Sequence, residues 1–237
     1  MKIRVCLALA SVGWLFVQGC SGPAFEPVSR RAKAAEGMIG ASGGRLGPVY
    51  APLAEQIVRD YDLADKDGIG IDLGSGPGTL IVELCKRTKM HWINADINPD
   101  YFPYFLEMAE DGGFGGRVSA IRADSQDLPF KDDYADIIVS RGSYHFWKDK
   151  VKAFGEIRRV LKPGGVAFIG RGFARDFPVE AAKKVRAGHK MKYDPKQKAE
   201  ELRGIMKELG IEDYEIFIPE TGKAAGINYG CWIEFRK

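Results

Sequence analysis

The run Gly70-Ile71-Asp72-Leu73-Gly74-Ser75-Gly76-Pro77-Gly78 joins a short apolar stretch to three glycines spaced two apart, with a carboxylate two positions before them. Glycine lacks a Cβ, so the backbone can turn sharply there and approach a ligand closely. A nicotinamide-type loop would carry G-x-G-x-x-G over a pyrophosphate; the spacing here is G-x-G-x-G. Two more carboxylates stand in comparable settings, Asp96 in Asn94-Ala95-Asp96-Ile97-Asn98 and Asp124 in Arg122-Ala123-Asp124-Ser125. An ionised carboxylate can accept hydrogen bonds from two adjacent hydroxyls, which a neutral side chain matches less well. The segment Ser140-Arg141-Gly142-Ser143-Tyr144-His145-Phe146-Trp147 offers other chemistry. Its aromatic faces can hold a cation, and a histidine with an unperturbed pKa of about 6.5 can take a proton from a hydroxyl, thiol or amine.

The surrounding pattern predicts the elements that position these groups. Val49, Leu53, Ile57 and Val58 have helical spacing, which predicts a helix over Gly47 to Tyr61. Strands are predicted at Gly68 to Leu73, Met90 to Ala95, Val118 to Arg122, Ala135 to Ser140 and Val166 to Gly170. Helices are predicted at Thr79 to Lys86, Tyr101 to Glu110 and Val151 to Leu161, the last stopping at the turn Lys162-Pro163-Gly164-Gly165. Arg171 to Tyr193 reads as an irregular basic insertion. A helix over Lys196 to Leu209 and strands at Tyr214 to Ile218 and Tyr229 to Phe235 follow. This alternation predicts an α/β fold, a doubly wound, mostly parallel sheet of seven strands. It ends in a C-terminal antiparallel hairpin that places one reversed strand at the sheet edge. Ligands of such sheets sit at the carboxyl ends of the strands.

Five motifs in this order, each at a strand end, resemble those of the class I S-adenosyl-L-methionine (SAM)-dependent methyltransferases. They are Gly70 to Gly78, the segment around Asp96, Asp124-Ser125 with Leu128-Pro129-Phe130 after it, Tyr134 to Ser140, and Arg158 to Gly165. The likeness covers roughly residues 68–170 and is to the small-molecule branch that includes the ubiquinone and menaquinone biosynthesis enzymes (methyltransferase type 11). It implies a Rossmann-like fold, methyl transfer, and SAM as cofactor. It also implies that Asp72, Gly74, Ser75, Gly76 and Gly78 form one part of the cofactor site. Asp96 with Ile97, Asp124 with Ser125, and Ser140 complete it, Asp96 facing the ribose and Asp124 lying beside the adenine ring. His145 and Tyr144 are the catalytic candidates near the transferred methyl; packing against the cofactor is the other reading of His145. Asp136 begins a strand and fits a structural role. Arg141, Arg171, Asn228 and Tyr229 are candidates to hold a polar or anionic substrate, with ordinary surface hydrogen bonding as the alternative. The helix around Tyr50, with Arg45 before it, reads as a lid or as simple edge packing. Asn98-Pro99-Asp100-Tyr101 is similar to the N-P-P-Y motif of DNA amino-methyltransferases, but it follows the second strand rather than the fourth.

Charge argues against nucleic acid as well. The net charge is +3, and Lys2 and Arg4 supply two of those three charges, so the remainder gives no electrostatic reason to expect a polyanion. The cluster Lys183, Lys184, Arg186, His189, Lys190 and Lys192 reads as a solvated face or mobile loop. Cys85 and Cys231 read as buried thiols, and His91, His145 and His189 are scattered, so no metal site is expected.

The N-terminus sets a separate problem. Lys2 and Arg4 precede an apolar stretch from Val5 to Val17, and Val17-Gln18-Gly19-Cys20 looks like a lipoprotein cleavage site. The stretch is short for a membrane span, which needs roughly 20 residues. The expected organisation is a lipoprotein-type signal or membrane anchor at 1–20, a tether at 21–45, and a methyltransferase domain at 46–237. SAM is cytoplasmic, and three readings accommodate that: an uncleaved anchor with a cytoplasmic catalytic domain, a soluble cytoplasmic protein starting downstream at Met38, or true export. The expectation is therefore an enzyme acting on a small-molecule acceptor, attached to a membrane through its N-terminus. The alternative is a non-catalytic membrane-tethered lipoprotein that keeps the fold as a binding module. A dehydrogenase is disfavoured by the glycine spacing and the Lys162 to Gly165 turn. Acceptor and oligomeric state are not legible.

Overall fold

A computed structural model describes residues 30–187, 193–220 and 229–237. The signal segment, His189, Lys190, Lys192 and Asn228 lie outside the described residues. Seven strands form one sheet in the order β3-β2-β1-β4-β5-β7-β6. They are β1 (Ile69–Leu73), β2 (His91–Asp96), β3 (Val118–Arg122), β4 (Ala135–Arg141), β5 (Leu161–Arg171), β6 (Tyr214–Phe217) and β7 (Cys231–Arg236). The first five are parallel, and β7 runs antiparallel to both β5 and β6. The reversed strand is therefore not at the edge, as expected from sequence, but one place inside it, with β6 outermost.

Side chains alternate across the strands and feed two cores. Ile137, Val139, Val166 and Phe168 face α2 (Gly47–Asp60), α3 (Thr79–Cys85) and α4 (Phe102–Asp111). Ile138, Ala167 and Ile169 face α5 (Lys150–Val160) and α7 (Pro195–Glu208). Helices on both faces make these strands continuously apolar. Gly70 must be glycine because the buried Trp92 indole lies across it, where any Cβ would clash. Burial of a large side chain such as Trp92 or Phe168 contributes about 1.5–3 kcal/mol.

Three local expectations are corrected. The Lys162 to Gly165 turn does not precede β5 but forms a bulge within it, since Ala135 pairs with Leu161 and Ile137 already with Val166. Gly164 takes φ +75° there. The insertion after β5 is not irregular throughout, because it contains α6 (Val179–Arg186). The stretch expected as a tether contains α1 (Arg30–Gly43), which packs near the turn Pro99–Tyr101. No described helix is long and apolar enough to cross a membrane.

Candidate active site

The carboxyl ends of β1, β2 and β4 open onto a cavity of about 440 Å³, at the point where the strand order reverses between β1 and β4. The loop after β1 is shaped by left-handed glycines, Gly74 at φ +71°, Gly76 at +57° and Gly78 at +76°. At Gly74 a Cβ would collide with the Ser143 hydroxyl, and at Gly78 with the Phe105 ring. The loop is tied to β2 at both polar ends of Gly76. Asn94 Nδ2 donates to its carbonyl (3.0 Å), and its N–H donates to Asp96 Oδ2 (2.8 Å). Asp96 Oδ1 accepts from the Asn98 N–H at 2.8 Å. Asp124, on the exposed rim, accepts from the Gln126 N–H at 3.0 Å, and the Gln126 bonds lower its pKa.

Asp72 is the least settled group in this cavity. Its Oδ2 accepts from Ser75 Oγ (2.7 Å), while Oδ1 is buried without a hydrogen-bond partner among the described residues. Burial pushes its pKa up to about 7, and the nearby Asp96 adds to the effect against the Ser75 bond. Arg141 stands across from it, its guanidinium 5.1 Å from the Tyr50 ring centre and its buried Nε unpartnered.

Eight of the expected cofactor residues border this cavity: Asp72, Gly74, Ser75, Gly76, Asp96, Ile97, Asp124 and Ser125. Gly78 and Ser140 do not border it. Gly78 seats α3 against α4, and Ser140 Oγ donates to Leu73 O (2.6 Å), holding β4 to β1. The two expected catalytic residues also stand off it, while their neighbours Ser143 and Phe146 line it. The reason is the 3-10 turn Tyr144–Phe146, in which successive side chains point about 120° apart. Tyr144 is buried, edge-on to Trp147. His145 Nε2 lies 3.1 Å from Arg171 Nη1. An arginine can only donate, so Nε2 accepts and the ring proton sits on Nδ1. Burial, then the charges of Arg171, Lys198 and Lys150, push His145 down to about 4, which makes it a weaker base than free imidazole.

Met38, Tyr101 and Gln126 border the cavity and are not among the site residues expected from sequence, where Met38 is a candidate start and Tyr101 belongs to the Asn98-Pro99-Asp100-Tyr101 motif. Met38 lay in the supposed tether; Gln126 follows Asp124 by two, a spacing typical of a turn closed by an aspartate side chain. Asp136 is structural, its Oδ2 accepting from the Ile69 N–H (2.9 Å) and from Lys162 Nζ (2.7 Å). Cys85 and Cys231 are buried and unpaired, and no cluster of metal-ligating side chains occurs among the described residues.

Doubly wound sheet, glycine loop and three strand-end carboxylates define an α/β protein built around a cofactor cavity. Residues 71–169 match the family described as methyltransferase domain. The ubiquinone/menaquinone biosynthesis C-methyltransferase UbiE of Vibrio vulnificus is 39% identical over 97 residues, 40% of this chain and 37% of that protein. The chloroplastic 2-methyl-6-phytyl-1,4-hydroquinone methyltransferase of Arabidopsis thaliana is 36% identical over 48% of this chain and 33% of its own length. The alignments thus span little more than a third of these relatives. A solved structure from Methanococcus maripaludis, a candidate SAM-dependent methyltransferase, superposes with a TM-score of 0.78. It is 30% identical, over 90% of this chain and 96% of its own. The chain belongs to the class I SAM-dependent methyltransferases, whose cofactor is SAM.

The cavity suits that cofactor on its own evidence. A buried carboxylate oxygen without a donor is unfavourable until a cationic or N–H group reaches it, and SAM carries an ammonium and a sulfonium. Asp96 retains lone pairs beyond those used by Gly76 and Asn98, enough to accept from ribose hydroxyls.

Proposed function

We propose that the protein methylates a small-molecule acceptor that enters the cavity from the β4–β5 side. The observation that carries this reading is Asp72, which borders the cavity with Asp96 and Asp124 and has one buried oxygen without a partner among the described residues. When bound, SAM supplies a methyl group made electrophilic by its sulfonium. Asp72 would meet the cofactor's ammonium and be held ionised by it. Asp96 would fix the ribose, and the exposed Ile97 and Phe146 would cover the flat ring and exclude water. Tyr50, Ser143 and Arg141 border the remaining space and would orient the acceptor. Positioning of two reactants in line is itself worth several powers of ten in rate. The reading assigns no proton transfer to His145, which is turned toward Arg171.

Calorimetric titration of the full chain with SAM and with S-adenosylhomocysteine, using NAD as control, tests this. Saturable binding of both, absent with NAD and lost in Asp96→Ala, is the expected result. A folded protein that binds neither would remove the reading; binding without turnover across a broad acceptor screen would favour a non-catalytic binding module.

A further inference from the structure

Beyond the cavity lining, near the carboxyl end of β5, stand arginines that have no acid to pair with among the described residues. Arg171, at the end of β5, donates from Nε to the Tyr229 hydroxyl (3.0 Å) and from Nη1 to His145 (3.1 Å). Arg186, the last residue of α6, lies 4.1 Å from the Tyr229 ring centre, and the Arg171 guanidinium lies 5.5 Å from it. Arg45 donates to the Val185 carbonyl at 2.7 Å. Three guanidiniums thus gather around one tyrosine and the end of α6. Among the described residues none of them has a carboxylate within 4.0 Å; Arg59, Arg87, Arg159, Arg175 and Arg203 do. Arg117, Arg122, Arg141, Arg158 and Arg236 also lack one among the described residues, so what sets these three apart is that they gather in one place.

Such a cluster costs folding free energy, because like charges repel and two of the three, Arg171 and Arg186, are half-buried. Burial, then the charges of Arg171 and Arg45, pull Arg186 below its ordinary pKa against the influence of Tyr229. The C-terminus of α6 favours cations, which accounts for the exposed Lys183 and Lys184. It does not account for Arg186, which turns inward toward two more cations. The donors are also largely unused. Of five N–H donors on each guanidinium, Arg45 has one engaged with described residues, Arg171 has two and Arg186 has none.

The place matters as much as the charge. Arg171 ends β5 at the same end of the sheet as Arg141 on β4, which borders the cavity. Tyr50 stacks against Arg141, and its neighbour Val49 packs with Tyr229 and Val185. One buried apolar cluster therefore connects the ground under the arginines with the helix that carries Tyr50 to the cavity.

We propose that Arg45, Arg171 and Arg186 form an oxyanion site that holds the acid group, a phosphate or carboxylate, of the methyl acceptor. The proposal rests on the methyltransferase reading above. Arginine suits this task because its planar fork matches phosphate and carboxylate oxygens in pairs. The rest of the acceptor would reach into the cavity past Tyr50, with its nucleophilic atom toward Arg141 and Ser143.

The test uses the full chain saturated with S-adenosylhomocysteine, titrated with inorganic phosphate and with acetate, and sedimented with phosphatidylglycerol or phosphatidylcholine vesicles. The expected result is anion binding weakened at least tenfold by Arg186→Gln and by Arg171→Gln, with S-adenosylhomocysteine affinity unchanged within twofold, which also shows that the variants are folded. Loss confined to phosphatidylglycerol vesicles would support the site and assign the acid group to a lipid headgroup; loss with free phosphate or acetate would assign it to a soluble acceptor. S-adenosylhomocysteine binding with no anion response to either substitution would overturn the oxyanion site and leave the methyltransferase reading intact. A folded protein without S-adenosylhomocysteine binding would remove that reading, and the acceptor assignment with it.

Discussion

At the β1–β2 end of the cavity, three aspartates line the space beside a glycine loop, and one of them, Asp72, has a buried oxygen with no partner among the described residues. Past the β4–β5 end the imbalance is of the opposite sign, with Arg45, Arg171 and Arg186 gathered near Tyr229 and the end of α6 and no carboxylate beside them among the described residues. Each end alone is a cost to the folded chain. Together they describe a molecule prepared for two guests, one cationic and one anionic, meeting between Asp72 and Arg141. The acidic end is also the more rigidly tied, since Asn94 and Asp96 clasp Gly76 directly.

Substitutions can break or sharpen this contrast. The largest effect is expected from Asp96→Ala, which removes two charge-assisted acceptors. Cofactor affinity should fall about 100- to 1,000-fold, read by calorimetry, and a loss below threefold would take the ribose contact away from the acidic end. Next is Gly78→Val, which shapes that end without touching the cavity. A left-handed β-branched residue driven into Phe105 should destabilise the fold by roughly 2–5 kcal/mol, measured by urea unfolding.

The Asp72 carboxyl sets a pH dependence. Its folded pKa of about 7 lies above the ordinary value of 3.8, so the folded state holds the proton more tightly across that window. Stability without cofactor should therefore fall as pH rises from about 4 to 7, by at most about 1.4 kcal/mol per pH unit. Melting curves of Asp72→Asn should be flatter over the same range, and an unchanged slope would show that Asp72 is already compensated. The smallest effect is expected from His145→Gln, which keeps an acceptor for Arg171. Cofactor affinity should stay within twofold, and a kinetic inflection near pH 6.5 that this variant abolishes would return the imidazole to the reaction.

How far these two ends could be read from sequence differs for a physical reason. Gly70 to Gly78, Asp96 and Asp124 each sit where a strand stops, so local pattern reveals both the element and the group it carries. The arginine end is assembled across long separations. Arg45 meets Val185 from 140 residues away, and Arg171 meets Tyr229 from 58. No spacing rule reports such contacts. Arg186 was read with its lysine neighbours as a solvated run, because composition does not say which way one side chain turns. The Tyr144–Phe146 turn defeated the reading for a subtler reason: the segment was placed correctly, yet its rotation sends Ser143 and Phe146 to the cavity in place of Tyr144 and His145. Met38 does not stand out from sequence as a cavity residue because α1 lacks a strong apolar stripe.

The position of β7 between β5 and β6 gives the molecule a history as well as a shape. β1, β2, β3 and β4 pair only with one another and with β5, so the acidic end can assemble from the first two-thirds of the described chain. Among the described residues β6 pairs with β7 alone, and Tyr229, just before β7, meets Arg171 where β7 docks on β5. Closing such distant pairings is slow relative to local ones. Contact separation therefore predicts that the β1–β2 surface forms before the arginine site, whose Arg45–Val185 contact spans 140 residues.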